Sequence, residues 1–161
     1  ARIGFLGDHR STSSISDRYF GYLKALTLNR LPFQKRWHIN ENYEFNMFTH
    51  RFSLPKPLPT AFVCHCDSAA YQLMLILRGA GVAVPDAVSL VAFDNTECSR
   101  TSSPKITTID INKREIAERA LEQMLWRLAH RPAKPQRIEL ATRLIARQTV
   151  KTLGPRRKGH A

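Results

Sequence analysis

The sequence predicts an α/β fold in which helices flank a parallel sheet. Two short buried-strand patterns, Ala61 to Cys64 and Ser89 to Phe93, lie on either side of an amphipathic helical segment. Repeated alternation of such strands with helices is typical of parallel sheets joined by right-handed crossovers. The 161 residues, of which 43% are hydrophobic and 24% charged, suffice to bury one core without disulfide bonds.

The N-terminal segment predicts a strand, a loop and a helix in that order. Arg2 to Gly7 is a short apolar run, and the hydroxyl-rich stretch from Ser11 to Ser16 predicts a loop after it. Apolar residues at helical spacing then predict a helix over Asp17 to Asn29, which a following proline ends. Trp37 to Asn40 is a candidate second strand, and Phe45 to Phe52 is a candidate short helix or turn.

The central segment predicts a strand, a helix and a second strand. Three prolines between residues 55 and 59 favour an extended connection into the strand Ala61 to Cys64. Asp67 is a candidate N-cap for a helix that ends at about Gly79. Ser89 to Phe93 follows as the next buried strand.

The C-terminal segment predicts the clearest helix of the chain. Thr107 to Ile111 is a β-branched run that predicts a strand before it. Asn112, with a glutamate three residues later, resembles a capping box at the start of a helix that ends near His130. Arg137 to Leu140 and Leu144 to Gln148 are candidate final strands.

The net charge of +12 is the one unusual bulk property. It favours acidic partners, but part of it lies in the tail at Arg156, Arg157 and Lys158, and no basic stripe alternates with aromatic residues. We therefore expect no direct nucleic-acid binding by this segment.

Three cysteines, an odd number, favour reduced thiols in a cytoplasmic protein, and no apolar run predicts a membrane span or a signal peptide. Because the chain starts inside its first strand, we expect a piece of a longer protein.

The run from Cys64 to Asp67 contains potential metal ligands, with Cys98 as an additional candidate. In a strand, however, Cys64 and Cys66 share one face while His65 points to the other, and no second ligand pair follows at zinc-site spacing. Two small buried thiols are the preferred interpretation, and no metal is expected.

A cysteine or serine nucleophile would need a positioned base, and the sequence has no nucleophile elbow, phosphate-binding glycine loop or metalloprotease motif. We therefore expect no enzyme activity and no cofactor.

Polar residues at the strand ends are the candidate binding residues. In open parallel sheets, ligands bind outside the carboxyl ends of the strands, where Cys66 and Asp94 are expected. Arg18 has a planar guanidinium that suits vicinal hydroxyls or a carboxylate, although a local ion pair with Asp17 would explain it as well. Asp94 has a carboxylate that suits sugar hydroxyls, although it would equally serve to cap the turn that follows.

Several motifs in this order and spacing resemble the effector-binding core of the LacI/GalR transcriptional regulators. They extend over Arg2 to about Thr149 and comprise Arg2 to Gly7, Asp17-Arg18 with Gly21-Tyr22, Pro59-Thr60-Ala61, Asp67 with its helix, Gly81 with Val84-Pro85-Asp86, Val88 to Asp94, and Pro104 to Ile109.

The resemblance implies a lobe of the periplasmic-binding-protein-like type I architecture. In this family, two lobes close over a small effector, usually a sugar or a nucleobase, and a helix-turn-helix head upstream binds operator DNA. The chain resembles the C-terminal half of that core. Residues 1–109 would form the C-terminal effector-binding lobe and 110–141 a crossover helix and strand of the missing second lobe. Residues 142–150 would return to the first lobe, and 151–161 would form a flexible basic tail.

The resemblance also implies roles for four site residues. Arg18 matches the arginine that clamps the effector, Asp94 matches the aspartate that accepts its hydroxyls, and Ser14 matches a hydroxyl residue near the ligand. Cys66 stands where many members have an asparagine that contacts the effector, so the thiol is a departure from the family pattern. The aromatic residue that stacks on the effector has two candidates, which are Tyr43 and Phe45.

A homodimer is the expected assembly. The resemblance places the helix from Asp67 to Gly79 at the dimer interface, with Tyr71, Met74, Leu75 and Arg78 on its outward face. The alternative, that Met74 and Leu75 face the sheet, stays open.

Two other functions compete with an effector-sensing repressor fragment. A periplasmic-type sugar-binding protein of a transport system would have the same architecture. Less favoured is a small α/β hydrolase that uses Cys66 or His65.

Overall fold

Six strands form one sheet in residues 1–40, 52–132 and 134–152, which the computed structural model describes. The strands are β1 (Ile3–Leu6), β2 (His38–Ile39), β3 (Ala61–Cys64), β4 (Ser89–Phe93), β5 (Thr107–Asp110) and β6 (Arg143–Ile145). The helices are α1 (Ser13–Leu28), α2 (Asp67–Gly79), α3 (Glu97–Thr101) and α4 (Lys113–Ala129), and a short 3₁₀ turn, Lys35–Trp37, leads into β2.

The strand order is β2-β1-β3-β4-β5-β6, and every neighbouring pair except the last is parallel. The predicted α/β class with a parallel sheet flanked by helices is therefore confirmed. The chain leaves β1 for an edge strand on one side and then returns to pair β3 on the other. This reversal opens a crevice at the carboxyl ends of β1 and β3, where ligands of such sheets bind.

The final strand differs from the prediction in both direction and extent. β6 pairs antiparallel to β5, and the strand expected over Leu144 to Gln148 is replaced by Arg143–Ile145. After β6 the chain runs back along β5, where Gln148 N donates to Lys105 O at 2.9 Å. The expected strand over Arg137 to Leu140 is absent, because this stretch is largely exposed and no described strand lies beside it.

Two apolar clusters cover opposite faces of the sheet. On one face, α2 packs its buried side chains against β3 and β4, with Phe62, Leu73, Leu77 and Leu90 among the fully buried residues. On the other face, α1 packs Tyr19, Tyr22 and Leu26 against Phe5 of β1. The first turns of both helices therefore lie at the edge of the sheet where the crevice opens.

Helix starts lie close to the expected positions, with two differences. α1 begins at Ser13 rather than Asp17, because the Thr12 hydroxyl caps it by accepting from Ile15 N at 3.3 Å. Asp67 is not the N-cap of α2 but its first residue, and Cys66 precedes it in extended conformation.

Asn112 caps α4 as predicted, but the reciprocal bond of a capping box does not form, because Asn112 N donates to Asp110 Oδ1 at 3.1 Å rather than to Glu115. Glu115 N donates to Asn112 Oδ1 at 3.4 Å, and Asn112 Nδ2 donates to Glu115 Oε2 at 2.6 Å. The short helix α3 was not expected from the sequence.

No residue of α4 is buried, although the helix has a clear apolar stripe. Its exposed members include Leu121, Met124, Leu125 and Leu128. The residues expected to form a helix or turn from Phe45 onward lie outside the described residues, except Phe52, which is buried in the core. Most of the predicted basic tail also lies outside them.

No helix among the described residues is both long enough and apolar enough to cross a membrane.

Candidate functional site

Arg18 joins three elements at the crevice. It lies in the second turn of α1 and donates from Nη2 to Asp94 Oδ1, which follows β4, at 2.9 Å. Its Nη1 donates to the carbonyl oxygen of His65, which follows β3, at 2.5 Å. The guanidinium carbon lies 4.7 Å from the centre of the Phe93 ring, within the range of a cation–π interaction. The alternative of a local ion pair with Asp17 is therefore wrong.

The Arg18–Asp94 ion pair is partly shielded but still reachable from solvent. The two side chains keep 17% and 22% of their surface exposed, respectively. Two of the five guanidinium N–H groups are used in the bonds to Asp94 and His65. Asp94 Oδ2 makes no hydrogen bond within the described part of the chain. A ligand in the crevice would therefore meet donors and an acceptor side by side.

Asp94 occupies an unusual backbone conformation. Its φ is 101° and that of Asn95 is 46°, both in the region that L-residues rarely adopt. Asp94 N donates to Ile109 O at 2.9 Å, and Lys113 Nζ donates to Asp94 O at 2.5 Å. The turn is thus held from β5 and from the first residue of α4.

Asp67 is the buried anchor beneath this turn. Its fully buried carboxylate accepts from Thr96 N at 2.6 Å and from Thr96 Oγ1 at 2.9 Å. The other oxygen accepts from Thr108 Oγ1 at 2.5 Å. One carboxylate therefore ties the start of α2 to the turn after β4 and to β5.

His65 is buried against Gly7 at the ends of β3 and β1. Its Nδ1 lies 3.2 Å from Leu6 O, and because a carbonyl oxygen only accepts, Nδ1 carries the proton. Nε2 then accepts from the Cys66 thiol at 3.4 Å. Burial lowers the pKa of His65, and the nearby Arg18 charge lowers it further, while the bond to Leu6 opposes the shift. The ring is therefore neutral at pH 7.

Gly7 is required where His65 packs over β1. Its φ is 148°, and a Cβ at this position would lie 2.8 Å from the Cβ of His65. No larger residue fits without moving the histidine.

The Cys66 thiol is neutral at pH 7. Burial raises its pKa to about 11, and the neighbouring charge of Asp94 contributes to the rise. Cys64 is wholly buried, and burial holds its pKa well above the usual value. Within the described ranges no three His, Cys, Asp or Glu side chains are grouped so that they could hold a metal ion.

Ser14 lies in the first turn of α1 and is exposed. Together with Arg18 it lines a cleft of about 730 Å³, whose other side is formed by α4 and the segment 136–142. The structure thus brings Arg18 together with both Asp94 and Ser14, while Cys66 contacts the His65 ring. The candidate stacking residues Tyr43 and Phe45 lie outside the described residues.

A stack of three rings at the same edge was missed by the sequence analysis. Tyr19 stacks on His9 with ring centres 4.6 Å apart and on His38 at 4.7 Å. His38 Nε2 lies 3.0 Å from Gly7 O, and burial lowers the pKa of His38, with His9 adding to the effect. His38 lies in β2 and His9 lies three positions after the end of β1, and these positions near strand ends are the local signal for them.

The outer face of α2 is composed differently from the prediction. Tyr71, Leu75 and Arg78 are exposed, with 45% of Leu75 accessible. The prediction that Met74 faces outward is wrong, because only 2% of its surface is exposed and it packs into the core with Leu73 and Leu77. Tyr71, Leu75 and Arg78 follow one another at spacings of four and three and therefore share one face, whereas Met74 lies at the border of this stripe and turns toward the core.

A family model for the periplasmic binding protein-like domain matches residues 1–150. The chain belongs to this family. The HTH-type transcriptional repressor PurR of Actinobacillus pleuropneumoniae serotype 5b is 32% identical over 157 residues, covering 94% of this chain and 46% of that protein. The chain therefore spans about half the length of the curated relatives it matches. The resemblance to LacI/GalR regulators is confirmed, and these relatives are transcriptional repressors rather than enzymes.

Two solved structures share the fold. The transcriptional regulator CelR in complex with cellobiose superposes with a TM-score of 0.80 and 18% identity, over 92% of this chain and 46% of that one. The lac repressor dimer bound to operator and the anti-inducer ONPF superposes with a TM-score of 0.78 and 23% identity, over 94% and 53%. The architecture of a periplasmic-binding-protein-like lobe is thus confirmed for the chain.

Proposed function

We propose that this chain is the effector-sensing portion of a cytoplasmic transcriptional repressor and that its effector is a sugar. The Arg18–Asp94 pair carries the proposal, because it presents charged donors and an acceptor at the carboxyl edge of the sheet. Vicinal hydroxyls of a sugar present the complementary pattern, an acceptor and a donor on adjacent carbons. The cellobiose bound to the regulator CelR is a ligand of this class in a protein of the same fold.

Ser14 and Cys66 would complete the contacts on either side of the pair. Ser14 lies in the same cleft as Arg18 and offers a hydroxyl that both donates and accepts. Cys66 offers a weakly polar thiol where a family member with asparagine offers an amide. We infer that the effector is less polar, or makes its polar contacts elsewhere, at the position that faces Cys66.

The second lobe of the sensor would cover α4. The apolar stripe of this helix is exposed along its length, and the segment 136–140 is also exposed. In our proposal residues 110–141 cross into a lobe formed by another part of the protein, and residues 142–150 return. An effector that binds between the lobes would favour the closed arrangement and so change DNA binding by a helix-turn-helix head of the full-length protein.

Homodimer formation would use the outer face of α2. Tyr71 and Leu75 line a partly apolar cleft of about 350 Å³ with Cys98 and Thr101 of α3. Arg78 extends this face and donates to Ser103 O at 2.7 Å. The exposed apolar side chains favour a partner surface here, and the dimeric lac repressor has the same fold.

A thermal-shift screen of the full-length protein tests the proposed function. Cellobiose, other mono- and disaccharides and free nucleobases are each added at millimolar concentration. Because a ligand that binds the folded state stabilises it by mass action, we expect at least one sugar to raise the melting temperature. A response to nucleobases alone would overturn the sugar assignment, and no response to any probe would overturn effector sensing.

A further inference from the structure

The turn formed by Asp94 and Asn95 depends on its surroundings for its shape. Both residues have positive φ, and the value of 101° at Asp94 lies beyond the usual left-handed helical region. Aspartate and asparagine tolerate positive φ better than other non-glycine residues, but such backbone persists only where neighbouring groups hold it. The groups that hold this turn therefore decide where the Asp94 carboxylate lies.

Arg147 supplies the most extensive of these contacts. It follows β6 in the segment that runs back along β5, and its backbone N donates to Thr107 Oγ1 at 2.9 Å. Its Nη2 donates to the side-chain oxygen of Asn95 at 2.6 Å. Its Nη1 donates to Ile106 O at 2.9 Å and to Ser99 Oγ at 3.2 Å. The half-buried guanidinium thus bridges the turn after β4, helix α3 and the start of β5.

Apart from Arg18, which binds the Asp94 carboxylate, the other cations hold only the backbone of the turn. Arg100 donates to Asn95 O at 3.0 Å, and Lys113 donates to Asp94 O at 2.5 Å. Both of these residues are exposed. Arg147 is the cation that binds the Asn95 side chain, and it does so from a more buried position than Arg100 or Lys113.

The geometry points to Arg147 as a positioning residue for the effector site. Through Asn95 it fixes the turn so that Asp94 Oδ1 meets Arg18, and it links this pair to the segment that returns from α4. The link to the effector rests on the proposed function, whereas the positioning of the Arg18–Asp94 pair does not. A shift of the returning segment would then displace Asp94 relative to Arg18.

A double-mutant cycle on the Arg18–Asp94 pair tests this role in the 161-residue chain. Urea unfolding of Arg18→Met, Asp94→Asn and the double variant gives the coupling between the two side chains. The same cycle is repeated in an Arg147→Lys background, since lysine keeps the charge but cannot bridge three acceptors in one plane. We expect the coupling to fall by at least half. Unchanged coupling would overturn the proposal, and so would the absence of coupling in the wild type.

Asn95 offers a second route to the same test if Arg147→Lys fails to fold. Asn95→Gly tolerates positive φ and removes the acceptor of Arg147, so it should also halve the coupling. Asn95→Asp retains an acceptor for Arg147 and should therefore preserve the coupling between Arg18 and Asp94. If residue 95 had only a structural role, this variant would lose the coupling as well. Retained coupling in Asn95→Gly would overturn the proposal.

Arg143→Lys is the matched control. Arg143 lies four positions earlier on β6, is 78% exposed and lies 3.9 Å from the Asp110 carboxylate. Its replacement should leave the coupling unchanged, and an equal fall in this variant would contradict a specific role for Arg147. If neither a sugar nor a nucleobase binds the wild-type protein, the proposed effector sensing is wrong, but the outcome of this cycle still decides whether Arg147 positions Asp94.

Discussion

Arg18 Nη2 donates a 2.9 Å hydrogen bond to Asp94 Oδ1 across 76 positions of sequence. The two side chains meet because α1 begins soon after β1, while Asp94 directly follows β4 at the same edge of the sheet. Parallel strands bring such distant residues together, since all their carboxyl ends lie at one edge.

Asp67→Asn should destabilise the chain strongly. The buried carboxylate accepts three hydrogen bonds, and an amide would direct an N–H group at a donor of Thr96 or Thr108. Loss of hydrogen bonds to a buried charge predicts a decrease of about 2–4 kcal/mol in the free energy of unfolding. Urea unfolding of the variant and the wild type measures this difference in the free energy of unfolding. Asp86→Asn is the control, because Asp86 is 78% exposed, and a similar effect in both variants would contradict the anchoring role of Asp67.

Gly7→Ala should also destabilise the chain. The new Cβ would lie 2.8 Å from the Cβ of His65, in a backbone conformation that alanine disfavours. We expect a loss of roughly 1–3 kcal/mol in the free energy of unfolding. Gly21→Ala is the matched control, since Gly21 lies within α1 with nothing within 4 Å of its Cβ position. That variant should gain about 0.5–1 kcal/mol, and equal effects at both positions would be inconsistent with the packing of His65 on Gly7.

Acid should destabilise the chain in part through His65. Burial lowers its folded-state pKa below the usual 6.5, so between these values the unfolded chain binds more protons than the folded chain. The stabilisation from neutral His65 is therefore complete above pH 6.5 and is lost as the pH falls through the folded-state pKa. His65→Gln should reduce the stability difference between pH 7.5 and pH 5, measured by urea unfolding. An unaltered stability difference in His65→Gln would refute the assignment of a lowered pKa to His65.

Charge on the outer face of α2 should dissociate the proposed dimer. Leu75→Glu places a carboxylate on the exposed face and should yield folded monomers in light scattering with little change in circular dichroism. Met74→Glu buries a charge in the core and should instead unfold the chain. Leu28→Glu, on an apolar residue of α1 that is 73% exposed, is the control that should remain dimeric. A persistent dimer in Leu75→Glu counts against this interface.

Local signals explain which elements could be predicted from the sequence. The bounds of β4 and of α2 agree with the prediction, because an unbroken apolar run and a helical stripe with clear ends need no distant partner. Asp94 was found because it directly follows such a run. The start of α1 was misplaced, since hydroxyl residues are common both in loops and at helix caps, and only the bond from Ile15 N to Thr12 decides between them.

Long-range contacts explain what could not be predicted. The direction of β6 depends on which segment it meets after a helix and a long connection, and no local pattern specifies that. Arg147 lies 52 positions from Asn95, and the contact between them leaves no periodic trace in the sequence. The stack of Tyr19 with His9 and His38 likewise joins three separate segments. Met74 was misplaced by one helical face, because an apolar residue at the border of a stripe fits either side.

Titration calorimetry with the sugar that most raises the melting temperature of the protein tests most directly whether the Arg18–Asp94 pair binds the effector. It compares the wild-type protein with Arg18→Ala and Asp94→Asn, the latter chosen because asparagine tolerates the positive φ of residue 94. Loss of one charged hydrogen-bonding group predicts binding weaker by roughly 10- to 100-fold in each variant. Arg114→Ala, an exposed arginine on α4 paired with Glu118, should bind as the wild type does. Unchanged affinity in both Arg18→Ala and Asp94→Asn would contradict the assignment of this pair as the effector-binding site.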